Sequence, residues 1–380
     1  MINPEHFPVS VAAMTSRQTR REFIRTAAIA AAGAPFAHAS LRDLSASQEK
    51  PLGFALVGLG SLSTNQIAPA LQKTKFCRLA GIVTGTPAKA VRWKAQYGIP
   101  DRSIYDYDTM SSMAGNPDID VVYVVTPNAL HAESVIKAAR AGKHVLCEKP
   151  MEVSVARCDA MIAACRTAKR KLAIGYRCQF EPHHLECVRL AREKTLGALK
   201  RIDAGFGFPI GDPSQWRLNH TLSGGGPLMD VGIYALQASR MLTREEPVRV
   251  SAQAAPKRDS VKFKDVEETL TFELTFPSGL VSRCETSYVY GVNKFTATTG
   301  RGAFGMEPAF NYSGNRAWRS DGAPLRFDEI DVFATEMDDF ARCIMDGRPT
   351  KVPGEEGRRD VRILMAIYES ARTGKAVTLS

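Results

Sequence analysis

The feature that most constrains this chain is a series of short apolar segments that alternate with helical segments from Gly53 onward. Each apolar segment is continuous, which is typical of strands buried on both faces of a parallel sheet. The spacing fits the helical crossovers that parallel strands require. The predicted strands are 54–57, 78–83, 121–125, 144–147 and 172–174, and the predicted helices are 64–71, 88–97, 130–141 and 155–168.

The pattern changes after about Gly175. Between residues 270 and 276 apolar side chains at every second position alternate with polar ones, and a Pro277-Ser278-Gly279 turn leads into a return strand. Such alternation predicts an antiparallel sheet with one apolar face. We therefore expect an α/β protein with a doubly wound parallel Rossmann sheet at 53–175 and an α+β domain with a large, open, mostly antiparallel sheet at 176–355. A C-terminal helix and tail at 356–380 are expected to pack back on the first domain.

The first 39 residues predict an export signal. Arg20-Arg21, followed by Phe23, precedes an apolar, Ala-rich run, and Ala37-His38-Ala39 supplies a small-x-small cleavage pattern. This combination is typical of twin-arginine signal peptides. Residues 1–39 are interpreted as the signal and 40–52 as a short N-terminal arm. We expect a periplasmic protein carried in the folded state by the twin-arginine export machinery, which suits a protein that takes up a cofactor before export.

Composition excludes several classes of protein. With 44% hydrophobic and 24% charged residues the chain is an ordinary folded protein, and no apolar stretch of the predicted mature chain is long enough to span a membrane. The net charge of +10 is spread along the chain without a basic run, so no nucleic-acid partner is expected. The eight cysteines follow no disulfide spacing and are expected to be mostly buried thiols.

A metal site is not predicted. His183-His184 with Glu186 could bind a metal, but no CxxC or HExxH pattern occurs in the chain. A surface loop is the simpler interpretation of these three residues.

A glycine loop follows the first predicted strand. Gly58-Leu59-Gly60 opens onto a helix, an arrangement that lets backbone N–H groups approach a pyrophosphate, although Ser63 stands where Gly or Ala is usual. Residues 51–100 contain no acidic residue that could bind the ribose hydroxyls of NAD. Thr86 and Lys89 at the next helix start suit a phosphate dianion instead. The sequence therefore predicts NADP rather than NAD.

Two segments are candidates for chemistry. Glu148-Lys149-Pro150 follows a strand predicted to end at the carboxyl edge of the sheet, where ligands bind in open α/β folds. Gly224-Gly225-Gly226-Pro227 starts a helix that carries Asp230 and Tyr234, one turn apart on one face. The alternative for that pair is a buried Tyr bonded to a neighbouring carboxylate.

Several motifs together resemble the Gfo/Idh/MocA oxidoreductase family, and the resemblance covers nearly all of the predicted mature chain. Tyr234 stands where many relatives carry His, which points to the branch of periplasmic glucose-fructose oxidoreductases. The motifs are Val57-Gly58-Leu59-Gly60, Leu130-His131-Ala132-Glu133, Ala141-Gly142-Lys143-His144-Val145, Glu148-Lys149-Pro150, Ile174-Gly175-Tyr176-Arg177, Gln215-Trp216-Arg217-Leu218, Gly224-Gly225-Gly226, Asp230-Val231-Gly232-Ile233-Tyr234 and Pro353-Gly354-Glu355-Glu356-Gly357.

The resemblance implies that Lys149 and Tyr234 are catalytic and that Asp230 assists them. Tyr234 would take the proton of an anomeric hydroxyl, with the Lys149 ammonium close enough to favour the phenolate, and the Lys149-Pro150 bond is expected to be cis. The NADP contacts that the resemblance implies are Gly58, Leu59, Gly60, Ser61, Leu62, Thr86, Lys89, Tyr107, Pro127, Asn128, His131, Glu148, Lys149, Arg177, Trp216, Arg217 and Tyr312.

The implied reaction oxidises a glucose-like aldose at C1 to the aldonolactone and reduces a second sugar, fructose or another aldose, to the alditol. Tightly bound NADP would serve both half-reactions in a ping-pong scheme, although the short arm leaves NADP retention open. The open second sheet favours a homodimer or homotetramer. Two alternatives remain: an NAD(P)-dependent glycosidase of the same superfamily, and a non-catalytic sugar or nucleotide sensor. Relatives that are sensors lack the catalytic lysine, which this chain has as Lys149.

Overall fold

The computed structural model describes residues 50–379. The predicted signal peptide and residues 40–49 of the predicted arm lie outside the described residues. Between residues 50 and 379, no helix is long and apolar enough to cross a membrane.

The first sheet has six parallel strands in the order β3-β2-β1-β4-β5-β6. The strand order changes side at β1, because β2 and β3 are added on one side of it and β4 to β6 on the other. A ligand site is expected at the carboxyl ends of the strands that flank such a switch point. The strands are β1 Leu52–Val57, β2 Cys77–Val83, β3 Ile104–Tyr105, β4 Val121–Val124, β5 His144–Glu148 and β6 Leu172–Gly175. β1 therefore begins at the last residue assigned to the arm.

Helices connect these strands, and the prediction of a doubly wound Rossmann sheet is confirmed. The strand β3 was not predicted because two residues are too few to form a periodic pattern. The helices are α1, a π-helical turn Ser63–Ile67 continuing as Ala68–Leu71, then α2 Pro87–Tyr97, α3 His131–Arg140 and α4 Val155–Thr167, with 3₁₀ turns at Asp101–Ser103, Thr109–Gly115 and Asn128–Leu130.

The second sheet has eight strands in the order β13-β12-β11-β7-β10-β9-β8-β14, and only the β7–β10 pair is parallel. Leu270, Phe272 and Leu274 are buried on one face of β9, and Gly279 takes a φ of +82° in the following turn. The predicted open, mostly antiparallel sheet is thus confirmed. The strands are β7 Leu199–Gly207, β8 Arg249–Ala254, β9 Thr269–Thr275, β10 Val281–Ser287, β11 Val292–Thr299, β12 Gly302–Met306, β13 Ala317–Arg319 and β14 Val377–Thr378.

The remaining helices lie against the second sheet or join the two sheets. The last helix, α9, starts two residues before the predicted boundary at 356 and contacts α4 and β6 as well as β8. The helices are α5 Pro182–Arg192, α6 His220–Ser223, α7, a π-helical turn Leu228–Gly232 continuing as Ile233–Thr243, α8 Val332–Met345 and α9 Gly354–Thr373, with 3₁₀ turns at Arg177–Gln179 and Trp216–Leu218.

The surface-loop interpretation of His183 and His184 is wrong. Both residues lie in the first turn of α5, and His184 is buried. The Glu181 carboxylate, not Glu186, contacts both imidazoles at 2.6 Å. These side chains are therefore bound to one another within the fold. All eight cysteines are free and buried, as predicted.

Candidate active site

The glycine loop after β1 has the close backbone approach that its residues predict. Gly58 takes a φ of +90°, and a Cβ there would lie 2.8 Å from the carbonyl oxygen of Val125. A Cβ on Gly60 would meet no atom within 4 Å, so this backbone is open to a ligand. Ser63, the unusual third position, donates its hydroxyl to the Gly58 carbonyl at 2.5 Å and is buried. The hydroxyl is therefore satisfied inside the loop.

The end of β2 supplies the second part of the nucleotide region. The Thr86 N–H donates to the Thr84 hydroxyl at 3.2 Å, and Thr86 precedes α2 without capping it by its side chain. A Cβ on Gly85 would lie 3.3 Å from the ring of Tyr107. Hydroxyl, helix N-terminus and the nearby Lys89 provide the donors that a phosphate group requires.

One cavity of about 1040 Å³ joins this region to the second domain. Its volume is large for a ligand pocket, since such pockets typically measure roughly 300–1,000 Å³. Every site residue proposed from the sequence lines it: Gly58, Leu59, Gly60, Ser61, Leu62, Thr86, Lys89, Tyr107, Pro127, Asn128, His131, Glu148, Lys149, Arg177, Trp216, Arg217, Asp230, Tyr234 and Tyr312. We call the part around Gly58, Thr86, Lys89 and Tyr107 the nucleotide end, and the part around Lys149, Arg177, Asp230 and Tyr234 the chemical end.

Lys149 and Asp230 meet at the chemical end. The Lys149 Nζ donates to the backbone carbonyl of Asp230 at 2.6 Å and lies 3.7 Å from its Oδ1. The other carboxylate oxygen, Oδ2, accepts from Arg217 Nε at 2.9 Å and from the Tyr288 hydroxyl at 3.0 Å. Burial raises the pKa of Asp230, but Arg217 and Lys149 more than offset it, so the net pKa is lowered and the group is a carboxylate.

Tyr234 lies between two cations. Lys149 Nζ is 4.8 Å from the ring centre, and the Arg177 guanidinium carbon is 4.9 Å from it. Arg177 is itself buried, and its Nη1 and Nη2 donate to the carbonyls of Asn311 and Phe310 at 2.8 and 2.7 Å. The alternative of a Tyr bonded to its helix neighbour does not hold, because Asp230 bonds the hydroxyl of Tyr288.

Burial raises the pKa of Tyr234 well above its usual range, and the leading cation that opposes this effect is Arg177. The phenol is therefore neutral at ordinary pH. Arg177, which the sequence predicts only as a cofactor contact, joins Lys149 as a cation placed to stabilise a phenolate.

Three further predicted residues hold the walls of the cavity together. The His131 Nδ1 lies 3.0 Å from the carbonyl of Pro150, whose peptide bond with Lys149 is cis as expected, and its Nε2 lies 2.9 Å from that of Thr126. Glu148 accepts from the Tyr123 hydroxyl at 2.8 Å. Asn128 donates to the carbonyl of Ser223 at 2.8 Å, which links the glycine-rich segment before α7 to the first domain.

Two models of one protein family match most of the described chain. Residues 52–176 match an oxidoreductase family with an NAD-binding Rossmann fold, and residues 184–305 match the GFO/IDH/MocA C-terminal domain. The chain belongs to the Gfo/Idh/MocA oxidoreductase family.

Individual members of the family are similar over most of this chain. The D-xylose 1-dehydrogenase [NADP(+)] of Haloarcula marismortui is 32% identical over 87% of this chain and 94% of its own. The D-xylose 1-dehydrogenase (NADP(+)) 2 of Haloferax volcanii is 31% identical over 86% of this chain and 99% of its own. The crystal structure of the aldose-aldose oxidoreductase of Caulobacter crescentus in complex with glycerol is 43% identical, with a TM-score of 0.82, and the match covers 87% of this chain and all of that one.

Several residues of this Gfo/Idh/MocA site were not predicted from the sequence. Tyr288 follows β10 and bonds Asp230, and Phe310 packs against the ring of Tyr234 at 5.6 Å between centroids. Neither belongs to a motif; the only signal for Tyr288 was its place at the end of a predicted strand. The other lining residues that were not predicted are Gln66, Thr84, Gly85, Val125, Thr126, Phe206, Phe208, Val231, Asn311, Ser313 and Phe333.

Proposed function

We propose that this family member is an NADP-dependent sugar oxidoreductase that oxidises an aldose at C1 to the aldonolactone and reduces a second sugar, ketose or aldose, to the alditol. The observation that carries the proposal is the single cavity in which the glycine loop and Lys89 face the same space as Lys149 and Tyr234. The similarity to two NADP-dependent xylose dehydrogenases and an aldose-aldose oxidoreductase supports it.

The nucleotide end fits NADP. Gly58 lets the loop pack closely against Val125, Gly60 leaves backbone open where a pyrophosphate would lie, and Thr86 and Lys89 would hold the 2′-phosphate. Residues 51–100 bring no carboxylate that would repel that phosphate. When bound, NADP supplies the hydride acceptor for the oxidation and the hydride donor for the reduction.

The chemical end moves the proton. For the oxidation Tyr234 must first lose its own proton to solvent, and Arg177 lowers the free-energy cost of that phenolate. The phenolate then accepts the proton of the C1 hydroxyl as C1 gives up its hydride, which restores the neutral phenol. In the reduction this phenol donates the proton to the carbonyl oxygen of the second sugar and returns to the phenolate. Lys149, anchored on Asp230, holds the reacting oxygen of either sugar. Aromatic side chains at Phe206, Phe208 and Phe310 exclude water from this end.

A spectroscopic experiment tests the proposal. The protein is purified without added nucleotide and mixed first with glucose and then with fructose or a second aldose, while the absorbance of reduced nicotinamide is followed. A band that rises with the first sugar and falls with the second is expected. A band that requires added NADP would make the protein a dissociating dehydrogenase, and release of a leaving group from a glycoside without net redox change would instead support the glycosidase.

We further propose that the mature protein is periplasmic after twin-arginine export and forms a homodimer or homotetramer. The Arg20-Arg21 motif supports the first proposal, and the polar outer face of the second sheet supports the second. Replacing Arg20-Arg21 by Lys-Lys should retain the protein in the cytoplasm. Light scattering that finds a monomer would contradict the second proposal.

A further inference from the structure

The first N–H groups of the helix that carries Asp230 and Tyr234 bind a carboxylate that is distant in sequence. The first N–H groups of a helix have no partner within the helix. Here the Gly226 N–H donates to Glu267 Oε2 at 2.9 Å, and the Leu228 N–H donates to Glu267 Oε1 at 3.0 Å. Pro227 between them has no N–H to satisfy. Glu267 therefore caps α7 although it precedes β9, far from the helix in sequence.

Tyr368 holds this carboxylate from the other side. Its hydroxyl, on α9, donates to Glu267 Oε1 at 2.9 Å. The three segments are packed so closely that a Cβ on Gly226 would lie 2.4 Å from the Glu267 carbonyl oxygen, and a Cβ on Gly225 would lie 1.9 Å from the Tyr368 hydroxyl. The glycines before α7 are thus required by contact with this cap.

The capped turn sets the position of the chemical end. Asp230 lies in the first turn of α7, and its backbone carbonyl is the acceptor of the Lys149 ammonium. Tyr234 lies one turn later and receives Lys149 and Arg177 over its ring. A shift of the helix start would therefore move both groups away from Lys149. A displacement of about 1 Å can cost a factor of about 100 in rate.

We propose that Glu267 is a positioning residue for the sugar oxidoreductase reaction, because its carboxylate fixes the start of α7 and thereby the places of Asp230 and Tyr234 relative to Lys149. This inference rests on the proposed function. Glu267 does not line the cavity, so it acts through the helix that it caps.

The adjacent residue provides a matched control. Glu268 is also buried, and its carboxylate also accepts backbone N–H groups, those of Arg258 at 2.8 Å and Asp259 at 3.3 Å. These N–H groups belong to an outer loop that does not line the cavity. Replacing either glutamate by Ala removes a buried carboxylate that bonds two N–H groups, but only Glu267 caps the helix of Tyr234.

The experiment compares Glu267→Ala, Glu267→Gln and Glu268→Ala with the wild type in kcat, KM for the sugar, NADP affinity and melting temperature. For Glu267→Ala we expect kcat to fall by about 100-fold, with NADP affinity changed by less than about threefold. The amide oxygen of Glu267→Gln still accepts one N–H, so its kcat should be about tenfold higher than that of Glu267→Ala. Glu268→Ala should lower the melting temperature without a comparable loss of kcat.

Equal loss of kcat in Glu267→Ala and Glu268→Ala at equal loss of stability would overturn the inference, since the effect would then be general destabilisation. A wild-type enzyme without activity on any sugar would contradict the proposed function instead. In that case crystal structures of the two Ala variants test whether Glu267 positions Asp230 relative to Lys149. Glu267→Ala should displace Asp230 from Lys149 whereas Glu268→Ala should not, and an unmoved helix in Glu267→Ala overturns the inference.

Discussion

The two ends of the cavity are built in different ways. At the nucleotide end the contacts join near neighbours, the Ser63 hydroxyl with the Gly58 carbonyl and the Thr86 N–H with the Thr84 hydroxyl. At the chemical end Lys149 reaches Asp230, 81 positions away, and Arg177 reaches Asn311, 134 positions away. The charged groups at this end bond partners from several elements of the fold.

The difference reflects what each end has to do. A pyrophosphate needs close backbone approach and a helix N-terminus, which a short loop supplies by itself. Proton transfer needs a phenol whose surroundings control its charge, and such surroundings require burial together with opposing cations. We therefore expect substitutions at the chemical end to affect turnover and substitutions at the nucleotide end to affect cofactor affinity.

The largest expected effect is that of Tyr234→Phe. Loss of the hydroxyl removes the group that exchanges the proton, so turnover should fall by about 10³-fold, within the usual contribution of general acid–base catalysis. NADP affinity, measured by fluorescence titration, should stay near that of the wild type. Tyr290→Phe is the control, because the Tyr290 hydroxyl donates to Glu285 and does not line the cavity. If Tyr234→Phe lost NADP affinity by the same factor as turnover, the two ends of the cavity would not have separate functions.

The second effect concerns Glu181, whose partner His184 packs against Phe310, the aromatic neighbour of Tyr234. Burial raises the pKa of Glu181, but hydrogen bonds from His184 and His183 more than offset it, and the net pKa falls from 4.5 to about 2. A carboxyl with a lowered folded-state pKa contributes stability that is present above the unfolded pKa and is lost as pH falls through the folded value. The wild type should therefore lose about 2 kcal/mol of unfolding free energy from this group between pH 6 and pH 3.

Urea denaturation at the two pH values measures this loss. Glu181→Gln should reduce the pH dependence by about 2 kcal/mol. Glu193→Gln, in an exposed position at the end of the same helix, should keep the wild-type dependence. If the pH dependence of the unfolding free energy is unchanged in Glu181→Gln, Glu181 is not the carboxyl that causes the loss of stability.

The smallest effect is expected at the nucleotide end. Lys89→Ala should weaken NADP by roughly tenfold more than NAD, because only NADP carries the phosphate that the ammonium would bind. Lys94→Ala is the control on the same helix, since Lys94 is paired with Asp101 at 2.5 Å and does not line the cavity. Equal losses for the two nucleotides, measured by titration, would argue against a role of Lys89 in choosing NADP.

The fold and the nucleotide end could be predicted well from the sequence because their signals are local. The glycine loop, the acid-free stretch 51–100 and the alternation in β9 each lie within one segment. Lys149 and Tyr234 can be recognised from motifs, whereas the charged groups that set the pKa of Tyr234 cannot. Lys149 is expected beside the phenol from its motif, but no sequence pattern indicates that Arg177 is the leading cation that opposes the effect of burial on Tyr234. His184 was assigned to a surface loop, because its contact with Glu181 and its burial leave no periodic signal.

The sequence by itself determined the order of strands and helices, the position of the glycine loop and the types of side chain available for chemistry, because period and spacing act over a few residues. Only the tertiary structure decided that Arg177 joins Lys149 beside Tyr234, which hydroxyl bonds Asp230 and which carboxylate caps α7. Those contacts join Arg177, Tyr288 and Glu267 to groups tens of residues away. They arise from the packing of two sheets and their helices, which no local pattern encodes.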